Sequence, residues 1–226
     1  MQAVMTMSCK INPHIQEWID IVEQRTYAVC EEQELLVSHV KRCFETEDIY
    51  TDNTQLEKYI SLAGYFPFEQ LFPWQKFVIG LHDCTYWRGT GLPRWPDLFC
   101  ELGRGAGKDG TIAWEAVCLM SPYNGIREYD IDICANNEDQ AMRPVRDVIA
   151  AFERPEIIRK LKRHFYWTKE QVTSLKTQSL MRGRTNSPKG KDGLRSGICI
   201  FNEIHQYQDY ANINVFTTGL GKKKHP

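Results

Sequence analysis

Apolar positions in the N-terminal stretch recur at helical spacing. In "NPHIQEWIDIVEQ", Ile15, Ile19 and Val22 fall on one face, behind Asn12 as a candidate N-cap and Pro13 at the first helical position. "EEQELLVSHVKRCF" repeats the pattern with Leu36, Val40 and Phe44, and "NTQLEKYISLAGY" gives a third helix ending near Gly64. "YFPFEQLFPWQKFVIGLHDCTYW" follows, dense in aromatics, and then a loop rich in Gly and Pro, "RGTGLPRWPD".

From Leu98 the texture changes. "LFCEL" is a short apolar run and predicts a buried strand; "GRGAGKDG" is a loop; "TIAWEAVCLMS" has helical spacing. "YDIDICA" alternates and predicts a second strand, and "NNEDQAMRPVRDVIAAFE" predicts a second helix with an Asn cap and an irregularity at Pro144. "KEQVTSLKTQSLMRG" reads as hairpin-like strands, "RTNSPKGKDG" as a turn or mobile loop, and "SGICIFNEIHQY" as a third apolar strand ending in polar residues. Strand, loop, helix, strand, helix, strand predicts an α/β fold with right-handed crossovers and a mainly parallel sheet flanked by helices. The expected division is a helical subdomain over 1–64 and an α/β core over 65–226.

Composition narrows the class without choosing a function. At 226 residues, the chain can bury one sizeable core. No apolar run reaches the roughly 18 residues of a membrane span, and "MQAVMTMSC" lacks the basic start and long apolar stretch of a signal peptide. The eight cysteines form no C-x-x-C pair and no zinc-finger spacing, so buried free thiols in a reducing cytoplasm are expected. Net charge is −1 but uneven: the N-terminal part is acidic, whereas Arg154–Arg195 is basic, opposed only by Glu156, Glu170 and Asp192. Two readings stay open for that stretch, a polyanion contact and a solvated basic surface.

The chemistry concentrates in two places. In "GRGAGKDG", Gly103, Gly105, Ala106, Gly107, Lys108, Asp109 and Gly110 have the form of a phosphate cradle: glycines let backbone N–H groups approach a phosphate, a lysine reaches it, and a helix N-terminus follows. The strict pattern fails twice, since Leu102 stands at the first glycine and Asp109 where Ser or Thr would hold a magnesium ion. Far downstream, "ICIFNEIHQY" is an apolar strand ending in Asn202, Glu203, Ile204 and His205. It has the form of a Walker B strand, in which a terminal carboxylate holds the metal through water and the next Glu orients the attacking water.

Together these blocks resemble the large terminase subunits of tailed double-stranded DNA phages, the ATP-driven motors that package DNA. The resemblance covers about residues 60–226 well and the helical start loosely. "LFPWQKFVIG" looks like the family's adenine-side motif, with Gln75 matching the base-reading Gln. "GRGAGKDG" resembles its Walker A, with Arg104 matching an Arg that reaches the γ-phosphate. "ICANNEDQA" and "KDGLRSGICIFNEIHQY" resemble the blocks that follow, and "TTGLGKK" the segment before the coupling motif.

The resemblance implies a P-loop NTPase of ASCE/RecA-like type with a helical N-terminal lid, using ATP and Mg²⁺. Glu203, Lys108 and Arg104 would be catalytic and His205 would couple nucleotide state to motion, although a structural histidine is the other reading. Asn202 stands where the family has Asp. Two readings follow: the metal's carboxylate has moved from position 202 to Asp109, both residues acting through water, or Asn202 weakens the metal site. Arg143 and Arg146 are candidates for an arginine finger or are surface residues. The implied partners are double-stranded DNA, the portal protein, the small terminase subunit and further copies in a ring. The implied place is the host cytoplasm, with no membrane, virion or secreted role. A C-terminal nuclease domain is expected to lie outside this chain, so cleavage activity is not expected from it. The rival readings are a helicase-like P-loop ATPase and a nucleotide-binding assembly module that does not hydrolyse.

Overall fold

The computed structural model describes residues 10–68, 70–185, 196–208 and 210–220. The chain forms two compact units. One takes the chain up to Ser61 and again from Phe68 to Glu101; the other takes Leu62–Pro67 and everything from Leu102 onward. The first of these units reaches Glu101.

The first unit contains α1 (Pro13–Glu23), α2 (Glu31–Thr46), β1 (Ile49–Thr51), most of α3 (Asn53–Leu62), α4 (Pro73–His82) and β2 (Thr85–Trp87), with β1 and β2 antiparallel. Asn12 caps α1 by accepting the His14 N–H at 2.8 Å, and Pro13 occupies the first turn. Ile15, Ile19 and Val22 pack with Val37, Val40 and Phe44 of α2 and with Phe77 and Leu81 of α4. The buried stripe of α2 starts at Val37; Leu36 is exposed, one position off the expected face. Close approach of α4 explains Gly80, because a Cβ there would lie 3.1 Å from Ile15 and 3.2 Å from Leu56. Arg94 forks onto Glu47, with Nη2 2.9 Å from Oε1, while its guanidinium lies 5.0 Å from the ring centres of both Trp87 and Trp95.

The second unit contains α5 (Lys108–Met120), β3 (Ile131–Ala135), α6 (Glu138–Phe152), α7 (Ile158–Leu161), β4 (Phe165–Trp167), β5 (Gln171–Ser174), β6 (Leu180–Thr185), β7 (Ile198–Phe201) and α8 (Ala211–Leu220). The strands form one sheet in the order β4-β5-β6-β3-β7. β3 pairs in parallel with β6 and β7, whereas β4-β5-β6 is antiparallel, so the sheet is mixed and not mainly parallel. Chain length between strands explains the difference. Only short turns join β4, β5 and β6, whereas a parallel crossover needs about a dozen residues or more, as the α6-containing path from β3 provides. The hairpin expected around 169–183 is β5–β6, while β4 had no clear signal.

All five residues of β3 are buried. Asn137 caps α6 by accepting the Gln140 N–H at 2.8 Å, and Pro144 lies inside the helix as expected. α6 lies so close on β6 that a Cβ at Gly183 would stand 2.7 Å from the Met142 sulfur and 3.0 Å from the Ala141 backbone. On the opposite face of the sheet, the Asp132 carboxylate is fully buried. Its Oδ1 accepts from Arg182 Nε at 2.9 Å and Arg184 Nε at 3.0 Å, and its Oδ2 from the Ser196 hydroxyl. Burial alone would raise the Asp132 pKa, but the Ser196 hydrogen bond and the two arginines hold it below its ordinary value.

"LFCEL" forms no strand: Leu98 and Phe99 are 45 % and 77 % exposed. The run has no pairing partner in either sheet, and an apolar segment without a ladder is not a strand. Cys43, Cys84, Cys118 and Cys134 are buried free thiols as expected, but Cys30 and Cys100 are exposed. Most of "RTNSPKGKDG" lies outside the described residues. Among the described residues, no helix is long and apolar enough to cross a membrane.

Two stability predictions follow from these buried carboxyls. Asp132→Ala leaves two arginines without their shared anion and should cost about 3–5 kcal/mol in denaturant unfolding. Asp83, at the C-cap of α4, is 4 % exposed, and burial pushes its carboxyl from an ordinary 3.8 up to about 8. Because the folded-state value is the higher one, its contribution is fully present below the unfolded pKa and is lost as pH rises through about 8. Asp83→Asn, which stays neutral, should therefore gain in melting temperature relative to the parent between pH 5 and pH 9.

Candidate active site

The loop before α5 is built by two glycines in the left-handed region, Gly105 at φ +85° and Gly107 at φ +86°. Side chains other than glycine's disfavour that region, so both positions need glycine. The Ala106 N–H closes the turn on the Gly103 carbonyl at 3.2 Å. Gly107 is the N-cap of α5, so Lys108, Asp109 and Gly110 form the helix's first turn and free N–H groups face the loop. Around Gly103 and Gly105 a Cβ would meet no atom within 4 Å, which leaves open the space a phosphate cradle requires.

The second half of the site comes from β7. The Asn202 N–H donates to the Cys134 carbonyl at 2.8 Å, extending the β3–β7 ladder by one residue, and Asn202 is buried. Glu203 then turns out of the sheet at φ +54°, ψ 44°. A non-glycine residue in that region carries strain of roughly 1–2 kcal/mol, a cost found at sites where geometry serves function.

Lys108 joins the halves. Its Nζ donates to Asn202 Oδ1 at 2.6 Å and to Glu203 Oε1, and stands 3.8 Å from Asp109 Oδ1. The hydrogen bond from Lys108 is the main reason the Glu203 carboxyl is held below its ordinary value, with His205 and Arg143 adding to the effect. Asp109 Oδ2 receives Arg143 Nη1 at 3.4 Å, while Asp109 Oδ1 is buried with no hydrogen bond. His205 is exposed, with Nδ1 3.6 Å from Glu203 Oε2.

The structure thus brings together Gly103, Gly105, Ala106, Gly107, Lys108, Asp109, Gly110, Asn202, Glu203, His205 and Arg143. Arg104 is exposed on the loop and makes no hydrogen bond or ion pair among the described residues. Arg146 turns to Asp139 at 3.1 Å and does not join the cluster. Gln75 belongs to the first unit, where its Oε1 accepts the Phe72 N–H at 2.8 Å and caps α4.

Sequence reading missed a clasp behind the site. Asn136 Nδ2 donates to the Gln206 carbonyl, and the Gln140 and Gln206 side chains meet at 3.0 Å. They tie the turn after β3 to the turn after β7. The only trace in the sequence is that both strands end in polar residues.

Comparison with known proteins agrees with this geometry. Residues 73–226 match the family model for the terminase large subunit, ATPase domain. The fold is similar to the crystal structure of the HK97 bacteriophage large terminase, with a TM-score of 0.60 and 21 % identity over 78 % of this chain and 36 % of that one. The chain therefore spans little more than a third of that protein's length. No curated protein matches the sequence. Since the family match spans well over half of the residues and includes both the glycine loop and the end of β7, the chain belongs to the terminase large subunits and carries their ATP-hydrolysing domain.

Proposed function

We propose that this chain hydrolyses ATP between the glycine loop and the end of β7, and that the reaction drives double-stranded DNA into a procapsid. The observation that carries the reading is Lys108, whose ammonium links the phosphate-type loop to Asn202 and Glu203 across the site. In this reading the N–H groups of Gly105, Gly107 and the start of α5 donate to phosphate oxygens. Lys108 exchanges its carboxylate and amide partners for phosphate. Glu203, held as a carboxylate, orients the attacking water once Lys108 has left it. Arg104, exposed beside the loop, is available to the γ-phosphate. His205, beside Glu203, would couple its state to motion.

Mg²⁺ fits the donor set. Asp109, Asn202 and Glu203 offer hard oxygens around the Lys108 ammonium, and the buried Asp109 Oδ1 lacks a hydrogen bond. When bound, the ion would offset charge on the phosphates. Asp109 and Asn202 would hold it through its water shell, with Asp109 supplying the carboxylate that Asn202 lacks. The further proposed context is a homo-oligomeric ring in the host cytoplasm, working with a portal protein and a small terminase subunit. The terminase match favours this setting over a helicase-like one.

Two measurements test the reading. Glu203→Gln should lower ATPase kcat by about 10²–10⁴-fold while leaving ATP binding within a fewfold; full activity of the variant refutes the assignment. Asp109→Ser should raise the Mg²⁺ concentration needed for half-maximal turnover by about tenfold or more, and Asn202→Asp in the same chain should bring it back. No change in Mg²⁺ dependence would show that Asp109 is not the metal's carboxylate.

A further inference from the structure

Asp109 is a carboxylate in the first turn of α5, immediately after the phosphate lysine. A negative charge there repels a triphosphate at short range, and the repulsion grows as water is excluded. The nearby acids are Asp109, Glu203 and, one turn along α6 from Arg143, Asp147; the nearby cations are Lys108 and Arg143. Lys108 is committed to Glu203 and Asn202 and comes no closer than 3.8 Å to Asp109. Arg143 reaches the outer oxygen of Asp109 at 3.4 Å. It projects from α6, a helix capped by Asn137 and preceded by Asn136 of the clasp to Gln206. The Asp109 side chain is 23 % exposed and that of Arg143 62 %, so the pair lies at the edge of the site and open to water on the arginine's side.

We propose that Arg143 is a positioning residue of its own chain's nucleotide site: it neutralises and orients Asp109 so that a loop bearing a carboxylate still accepts a nucleoside triphosphate. This rests on the nucleotide-site reading above and gives Arg143 a role within its own subunit, not in a neighbour. When Lys108 turns to the phosphates, Asp109 loses the more distant of its two cations. Arg143 then holds one carboxylate oxygen and leaves the buried Oδ1 directed inward.

A double-mutant cycle on the full chain tests the proposal, with ATP binding measured by calorimetry in EDTA and again with Mg²⁺. Arg143→Ala should weaken ATP binding about five- to tenfold when Asp109 is present, and less than about twofold in an Asp109→Ser background. KM should rise with little change in kcat, and Arg143→Lys should recover most of the loss. Equal losses in both backgrounds, or none, overturn the proposal while leaving the nucleotide site standing. Failure of the parent chain to bind ATP overturns the site reading and this inference with it. Mixing Arg143→Ala chains with Glu203→Gln chains should not restore activity at limiting ATP. Restoration would move Arg143 to the neighbouring subunit's site.

Discussion

The arrangement depends on one constraint: β3 is hydrogen-bonded in parallel on both edges and buried along its whole length. A strand in that position cannot slip by one residue without turning its apolar side chains and Asp132 to the wrong faces. Its register fixes Ile131 opposite Met181 on one side and Ile198 on the other, so the carboxyl ends of β3 and β7 emerge together. The turn into α6 and the turn holding Glu203 follow from those ends, and the Asn136–Gln206 clasp joins them. Ligand sites of parallel sheets form at strand carboxyl ends for this reason. Asp132 reinforces the register from the opposite face, because its two arginines come from β6 and its hydroxyl donor from the residues just before β7.

On that frame, the site is an electrostatic arrangement more than a packed one. Lys108 holds Glu203 in its charged form while sharing the amide oxygen of Asn202. The same contact keeps the lysine away from the open side of the loop. Nucleotide entry in the proposed mechanism is therefore an exchange of anions around one ammonium. The left-handed turn at Glu203 makes that exchange local, since the carboxylate sits on a strained hinge next to a rigid strand.

Much of this was legible in the sequence, for identifiable reasons. Asn12 and Pro13 announced α1, Asn137 announced α6, and the glycine loop declared itself because glycine is strongly favoured at the φ values of 105 and 107. "ICIFNE" showed a strand delivering polar groups to its end. Other features depend on partners that a linear pattern does not show. "LFCEL" has the apolar run of a strand but joins neither sheet among the described residues, and Phe99 is exposed. Leu36 and Val37 are adjacent leucine and valine, and only packing against α1 selects the valine. The antiparallel half of the sheet followed from short turns, a matter of chain length that apolar periodicity does not encode. The clasp and the Arg143–Asp109 pair join residues far apart in sequence, each of an ordinary polar type, and only the fold brings them together.

The two departures from the familiar loop and strand patterns are best understood with Arg143 as a third member of one set. With acids at 109, 202 and 203 together, three carboxylates would converge where Lys108 and Arg143 are the cations, an excess of negative charge in the space a triphosphate would take. With an acid at neither 109 nor 202, Arg143 would face the loop with only Asp147 of its own helix left as a neighbouring acid. Asp109 with Asn202 keeps one acid fewer beside Lys108 and Arg143, and the amide at 202 gives Lys108 an acceptor at 2.6 Å without adding charge. Charge balance thus links a residue on the loop, one at the end of a strand and one on a helix. A change at any of the three alters what the other two must do.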